Sequence, residues 1–295
     1  PQGVCHNDVV VTLRQQLEQW QARWAERRGL AFRPRNDTSP ARAVFRLSDQ
    51  FFEPLDPATE REFVQGSGGE LMGNGEEGHL YSLLSSAALA VNIFAHWRHR
   101  PKRELLRALG FQVEHPVWLG FECRFPITAG FGTPPHADVT LAAEGATPFL
   151  CAVEAKLGEP YAGMPQHGLR PGHAGHAYFR DWPNLARLAA RISPEDRVHQ
   201  HLHAAQLLKH LLGLRTTGRQ FTLLYLWFDV HSPEGRRHRD EVHEFTLRAR
   251  RDGLDVWGLT WQELWATLSE RAQGEEHRAY LAYLRDRYAL DRRVP

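Results

Sequence analysis

One segment constrains this chain more than any other. Residues 149–153 are continuously apolar and run straight into Glu154-Ala155-Lys156. Residues 137–143 (ADVTLAA) also read as a strand, and the Glu144-Gly145-Ala146-Thr147 break joins the two as an antiparallel hairpin. Strand residues two apart share a face, so Glu154 and Lys156 project together. A turn centred on Gly145-Ala146 brings Asp138 within about a residue of Val153, beside Glu154. Two carboxylates and an amine then meet at the end of a buried hairpin, which costs free energy unless a metal or a partner compensates.

Two carboxylates at coordinating distance repel each other and suit a hard divalent cation with oxygen ligands, Mg²⁺ or its substitute Mn²⁺. A lysine beside such an ion orients a water, or helps deprotonate it, for in-line attack on phosphorus. A bare Glu-x-Lys is ordinarily a cross-strand ion pair at a sheet edge. The upstream Asp138, the apolar strand before the pair and the helix after it favour a site here.

The surrounding periodicity supplies the frame. Residues 9–28 form an amphipathic helix closed by Gly29, and 30–66, with four prolines, read as irregular structure with short elements. The glycine-rich stretch 66–78 is a loop leading into a helix over about 79–98, whose apolar face is broad enough to require burial against a sheet. In that helix Ser85 and Ser86 read as small residues that allow close packing, since no G-x-S-x-G surrounds them. A short helix over 102–109 precedes strands at 111–119 and 121–127. After the hairpin, 158–194 reads as a long loop, followed by a helix at 195–213, an apolar strand at 221–230 and a helix at 233–251. A short strand at 254–258 and helices at 260–271 and 275–288 complete the chain. A helix that joins the hairpin to a continuously apolar strand predicts a mixed sheet covered on both faces.

Asp138 in PPHADVTL, and Glu154 and Lys156 in CAVEAKL, together with this element order, resemble the PD-(D/E)xK, restriction-endonuclease-like nuclease superfamily. GSGGEL followed by YSLLSSAALAVNIF is similar to a bacterial branch of it. The resemblance covers roughly residues 66–230. The Pro-Asp of the usual signature is replaced by Pro135-His136-Ala137-Asp138, which keeps the carboxylate. The resemblance implies an αβββαβ core in a single α/β domain, with a helical extension over 1–65 and a helical cap over 231–295. It also implies an Mg²⁺-dependent nuclease in which Asp138 and Glu154 bind metal and Lys156 orients the attacking water. A further glutamate is expected from the preceding helix. The GSGGEL match favours Glu70, while Glu76 and Glu77 stand nearer the helix start, where negative charge is favourable in any case. Gln206, in the helix after the hairpin, is the residue expected to support the metal site from behind. The alternative from another class is a retired nuclease fold that binds DNA or serves as an assembly subunit.

The remaining features narrow the partners. With 36 Lys plus Arg against 35 Asp plus Glu, the chain is no polycationic coat, so phosphate contacts must come from local clusters. Arg98, Arg100 and Lys102 in RHRPKR, and the runs 236–239 and 248–251, are such clusters. Arg170 and Arg180 lie among the aromatics of 158–194, an arrangement suited to a nucleic-acid groove. DNA is expected ahead of RNA, and a homodimer would suit cutting of both strands. His199, His203, Gln206 and His210 fall on one polar stripe of the 195–213 helix, yet His199 and His203 lack a third zinc ligand. Three scattered cysteines without a C-x-x-C read as free thiols. With no apolar run of about 18 residues and no signal-peptide pattern, the expected location is cytoplasmic.

Overall fold

The structure is a computed structural model that describes residues 12–36, 39–66, 69–73, 76–113, 115–128, 132–145, 148–163 and 166–291. The chain opens with α1 (Leu13–Arg27), where Thr12 and Gln15 form a reciprocal capping box. Next come a hairpin of β1 (Phe32–Asn36) and β2 (Ser39–Val44), and α2 (Pro57–Gln65), capped by Asp56 and begun by proline. A two-residue pair, β3 (Met72–Gly73) and β4 (Glu76–Glu77), precedes α3 (Ser86–Phe94) and α4 (Arg103–Ala108).

The main sheet follows, with β5 (Trp118–Arg124), β6 (His136–Ala143) and β7 (Phe149–Lys156) antiparallel in sequence order. Short α5 (Pro171–Ala174), α6 (Pro183–Arg191) and α7 (Ala204–Arg215) carry the chain across one face to β8 (Thr222–Trp227), parallel to β7. Helix α8 (Pro233–Arg251) leads to β9 (Asp255–Thr260), parallel to β8, and α9 (Trp261–Glu270) and α10 (Glu275–Tyr288) end the described chain. The result is a mixed five-stranded sheet ordered β5-β6-β7-β8-β9, flanked by helices, consistent with a restriction-endonuclease-like core.

Side-chain alternation divides the interior in two. Cys151, Val153 and Ala155 of β7 pack in the core that contains α3, α9 and α10, while Leu150 and Ala152 pack in the core of α6, α7 and α8. Every residue of β8 is buried, as its uninterrupted apolar run requires of a central parallel strand.

Four segments depart from the sequence reading. The helix expected over 79–98 is a 3₁₀ turn at His79–Tyr81, then α3, then a second 3₁₀ turn. Ser85 is the helix cap, its hydroxyl accepting from the Ala88 N–H, and Ser86 donates to Glu159 at 2.6 Å, so both serines do more than allow close packing. The described residues of the strand expected at 111–119 lie outside the sheet until it begins after Pro116, at Trp118. The long loop of 158–194 contains α5 and α6, each started by a proline at its first turn. The helix expected from 195 starts only at Ala204. Before it, Asp196 takes the Val198 and His199 N–H groups, and Glu241 takes those of Gln200, His201 and Leu202. Those bonds give the backbone partners other than a helical ladder.

Candidate active site

The hairpin register decides where the charges meet. Val139 pairs with Val153, and one step further along the strands Asp138 stands across from Glu154. Asp138 accepts the Ala155 N–H at 2.6 Å, which ties its carboxylate to β7. Glu154 is 2 % exposed, with one carboxylate oxygen 2.5 Å from the Lys156 ammonium and the other 2.7 Å from His210 Nε2 of α7. This Glu154–Lys156 pair lies on the middle strand of the sheet, not at an edge.

A third carboxylate comes from β5, next to β6 in the sheet. Glu122 is buried and adopts φ +52°, a left-handed conformation that L side chains rarely take and that costs about 1–2 kcal/mol. Gly66 makes room for it: a Cβ there would stand 2.9 Å from the Glu122 Cβ. The fourth carboxylate is Glu70. Its carbonyl accepts the Leu80 N–H at 2.9 Å, and only a glycine at 78 lets the two backbone segments come so close. Glu70, Glu122 and Asp138 line one cavity of about 270 Å³, together with His136, Gln206, Lys209 and His210.

The electrostatics sort these carboxylates into two kinds. Burial pushes Glu122 up to about 8, aided by the neighbouring charges of Glu70 and Glu154. Asp138 is likewise raised, by desolvation first and then by Glu154. Burial also opposes ionisation of Glu154, but Lys156 and His210 outweigh it and hold the group at about 2. Burial opposes charge on Lys156 too, and Glu154, Glu159 and Asp138 overcome it, so the amine stays protonated. The site thus combines one firmly ionised carboxylate with others whose charge is suppressed first by burial and then by neighbouring carboxylates, a division typical of sites with assigned acid and base roles.

Of the residues singled out in the sequence, Asp138, Glu154, Lys156, Glu70 and Gln206 gather here. The side chains of Glu76 and Glu77 lie outside the described residues. Arg98, Arg100 and Lys102 are not among the residues lining this cavity. Arg98 is paired with Glu62 at 2.6 Å, Arg100 with Glu53 at 3.2 Å, and Lys102 donates to the Arg98 carbonyl. Arg180 is exposed and also outside it, whereas Arg170 lines an adjoining cavity. The polar stripe of 195–213 breaks up, because His199 precedes α7 and pairs with Asp196 at 2.9 Å. Glu122, Glu159, Lys209 and the role of His210 were not identified from sequence. Glu122 had a usable signal, a lone acid inside the apolar strand WLGFECR. Among the described residues, no three His, Cys, Asp or Glu side chains are grouped so that they could hold a metal ion. No helix among them is long and apolar enough to cross a membrane.

Comparison with known families gives one match: the model of a family described as restriction endonuclease associating with ARP covers residues 15–289. No curated protein and no solved structure matches the chain. The family match agrees with the restriction-endonuclease-like resemblance of the PPHADVTL and CAVEAKL segments and extends well beyond residues 66–230.

Proposed function

We infer that this chain, which belongs to the family of restriction endonucleases associating with ARP, hydrolyses phosphodiester bonds of DNA at the acidic cavity, with Mg²⁺ as cofactor and Mn²⁺ as a substitute. One observation carries this reading: carboxylates from β5 and β6 line one cavity with α7, and the buried Glu154–Lys156 pair of β7 is joined to it through His210. The donor set consists of carboxylate oxygens, which suits a hard divalent cation. As the described side chains stand, no three of His, Cys, Asp or Glu are grouped so that they could hold a metal ion, so binding one here requires these carboxylates to shift. The raised proton affinities of Glu122 and Asp138 come first from burial and then from neighbouring negative charge, which a cation would offset.

Asp138, Glu154, Glu70 and Glu122 would hold the ion. When bound, it supplies Lewis-acid stabilisation to the oxygens of the phosphodiester. The chain's own groups do the positioning. Lys156 keeps its proton and so acts as a donor that orients a water or a phosphate oxygen, not as a general base. His210 bonds Glu154 and fixes its orientation, and Gln206 supports the cavity wall from α7.

The test is cleavage of supercoiled plasmid and of single-stranded DNA by the wild-type protein, in Mg²⁺ or Mn²⁺ and in EDTA. Cutting that depends on the ion is expected. Intact DNA under all conditions, with no Mn²⁺ uptake by calorimetry, would contradict the reading and favour a retired nuclease fold.

A further inference from the structure

A second cavity, of about 460 Å³, adjoins the acidic one and shares Thr133, Gln206 and Lys209 with it. Its chemistry is the opposite. Arg170 and Lys209 bring positive charge, His167, His173 and His203 bring imidazoles, and no Asp or Glu is found among its described lining. Arg98, Arg100, Arg219, Arg239 and Arg248 are each neutralised by a carboxylate, whereas Arg170 and Lys209 have no ion pair among the described residues. Lys209 is partly buried, and such a cation without a partner costs free energy that an arriving anion recovers, while Arg170 is exposed and lines the same cavity.

Position adds to charge. Gln206 and Lys209 stand three apart on α7, so they share a helix face, and that face borders both cavities. The His167 and His203 rings lie 6.3 Å apart at 70°, presenting aromatic surface beside the cations. Cavities of about 300–1,000 Å³ take small molecules, so this one has room for about one nucleotide and none for a duplex.

We propose that this cavity is a subsite for the nucleotide flanking the reacting phosphodiester, its phosphate held by Arg170 and Lys209, in a single strand or a frayed end of DNA. The assignment rests on the hydrolase reading for what occupies the neighbouring acidic cavity.

The test is binding of a fluorescent twelve-nucleotide oligothymidine, and of a blunt hairpin duplex of equal charge, to the full chain in EDTA across a salt series. Arg170→Ala and Lys209→Ala are compared with wild type and with Arg278→Ala, which removes an exposed charge elsewhere. Both cavity variants are expected to weaken single-strand binding and to flatten its salt dependence by about 0.7 in log–log slope each. Duplex binding should stay unchanged, and Arg278→Ala should behave as wild type. An unaltered slope in both cavity variants overturns the subsite, and equal losses on strand and duplex overturn its assignment to an unstacked nucleotide. If wild type cuts DNA while the variants bind as it does, the subsite falls and the hydrolase reading stands. A wild type that neither cuts nor binds overturns both.

Discussion

Glu122 is held by a left-handed backbone against a glycine, in a cavity already crowded with negative charge. Its folded value of about 8 lies above the ordinary 4.5, so the folded state binds the proton more tightly than the unfolded chain does. That contribution to stability is complete below about pH 4.5 and is lost as pH rises toward 8. Thermal melts without divalent ions should therefore show falling stability between pH 5 and 8 in wild type and a flatter profile in Glu122→Gln. An identical slope in the variant would remove Glu122 as the cause. Gly66 has the complementary part. In Gly66→Ala the new methyl meets the Glu122 side chain, and urea unfolding should register a loss of about 1–3 kcal/mol. The Glu122→Gln, Gly66→Ala double variant should lose the same amount, because the clash involves atoms that glutamate and glutamine share.

Among the elements, the β6–β7 hairpin was legible because its information is local: alternation, a glycine break and an apolar run that ends in charge. Asp138 beside Glu154 followed from that register. Glu122 was not legible in the same way, because its partners come from β6 and from Gly66 and Glu70, which sequence spacing does not bring together. The start of α7 was missed for a related reason. Glu241, some forty residues downstream, accepts three consecutive N–H groups at 2.8–2.9 Å, and no local pattern reveals it. Glu241→Ala would orphan those donors and should cost at least about 1–3 kcal/mol in chemical denaturation. Circular dichroism should show α7 largely retained, because its own leucines anchor it in the core. Ser85→Ala, which removes the cap of α3, should cost about 1 kcal/mol.

For the molecule as a whole, the mixed sheet separates two cores, and the acidic cavity lies where β5, β6 and β7 meet α7. The order of strands was legible, since a helix between a hairpin and a continuously apolar strand leaves few arrangements. The role of the C-terminal helix was not. In α10, the fully buried Arg287 bonds Gln50 and Tyr283 and lies 4.5 Å from the centre of the Trp24 ring, so it ties the two ends of the chain together. Arg287→Ala leaves a cavity and unpaired polar groups and should cost about 2–5 kcal/mol. Because Arg287 is not among the residues lining the acidic cavity, DNA cutting below the melting temperature should persist in that variant.

Hydrolysis by the carboxylate–lysine cluster is tested most directly by the single-turnover cutting rate of wild type, Lys156→Ala and Asp138→Asn in Mg²⁺. Melting curves on the same samples would verify that each variant is folded. Both variants should fold and lose about 100-fold or more in rate, the scale of removing a preorganised charge from a phosphoryl-transfer site. Folded variants that cut DNA at the wild-type rate would show that the reaction takes place elsewhere on the chain or not on this chain at all.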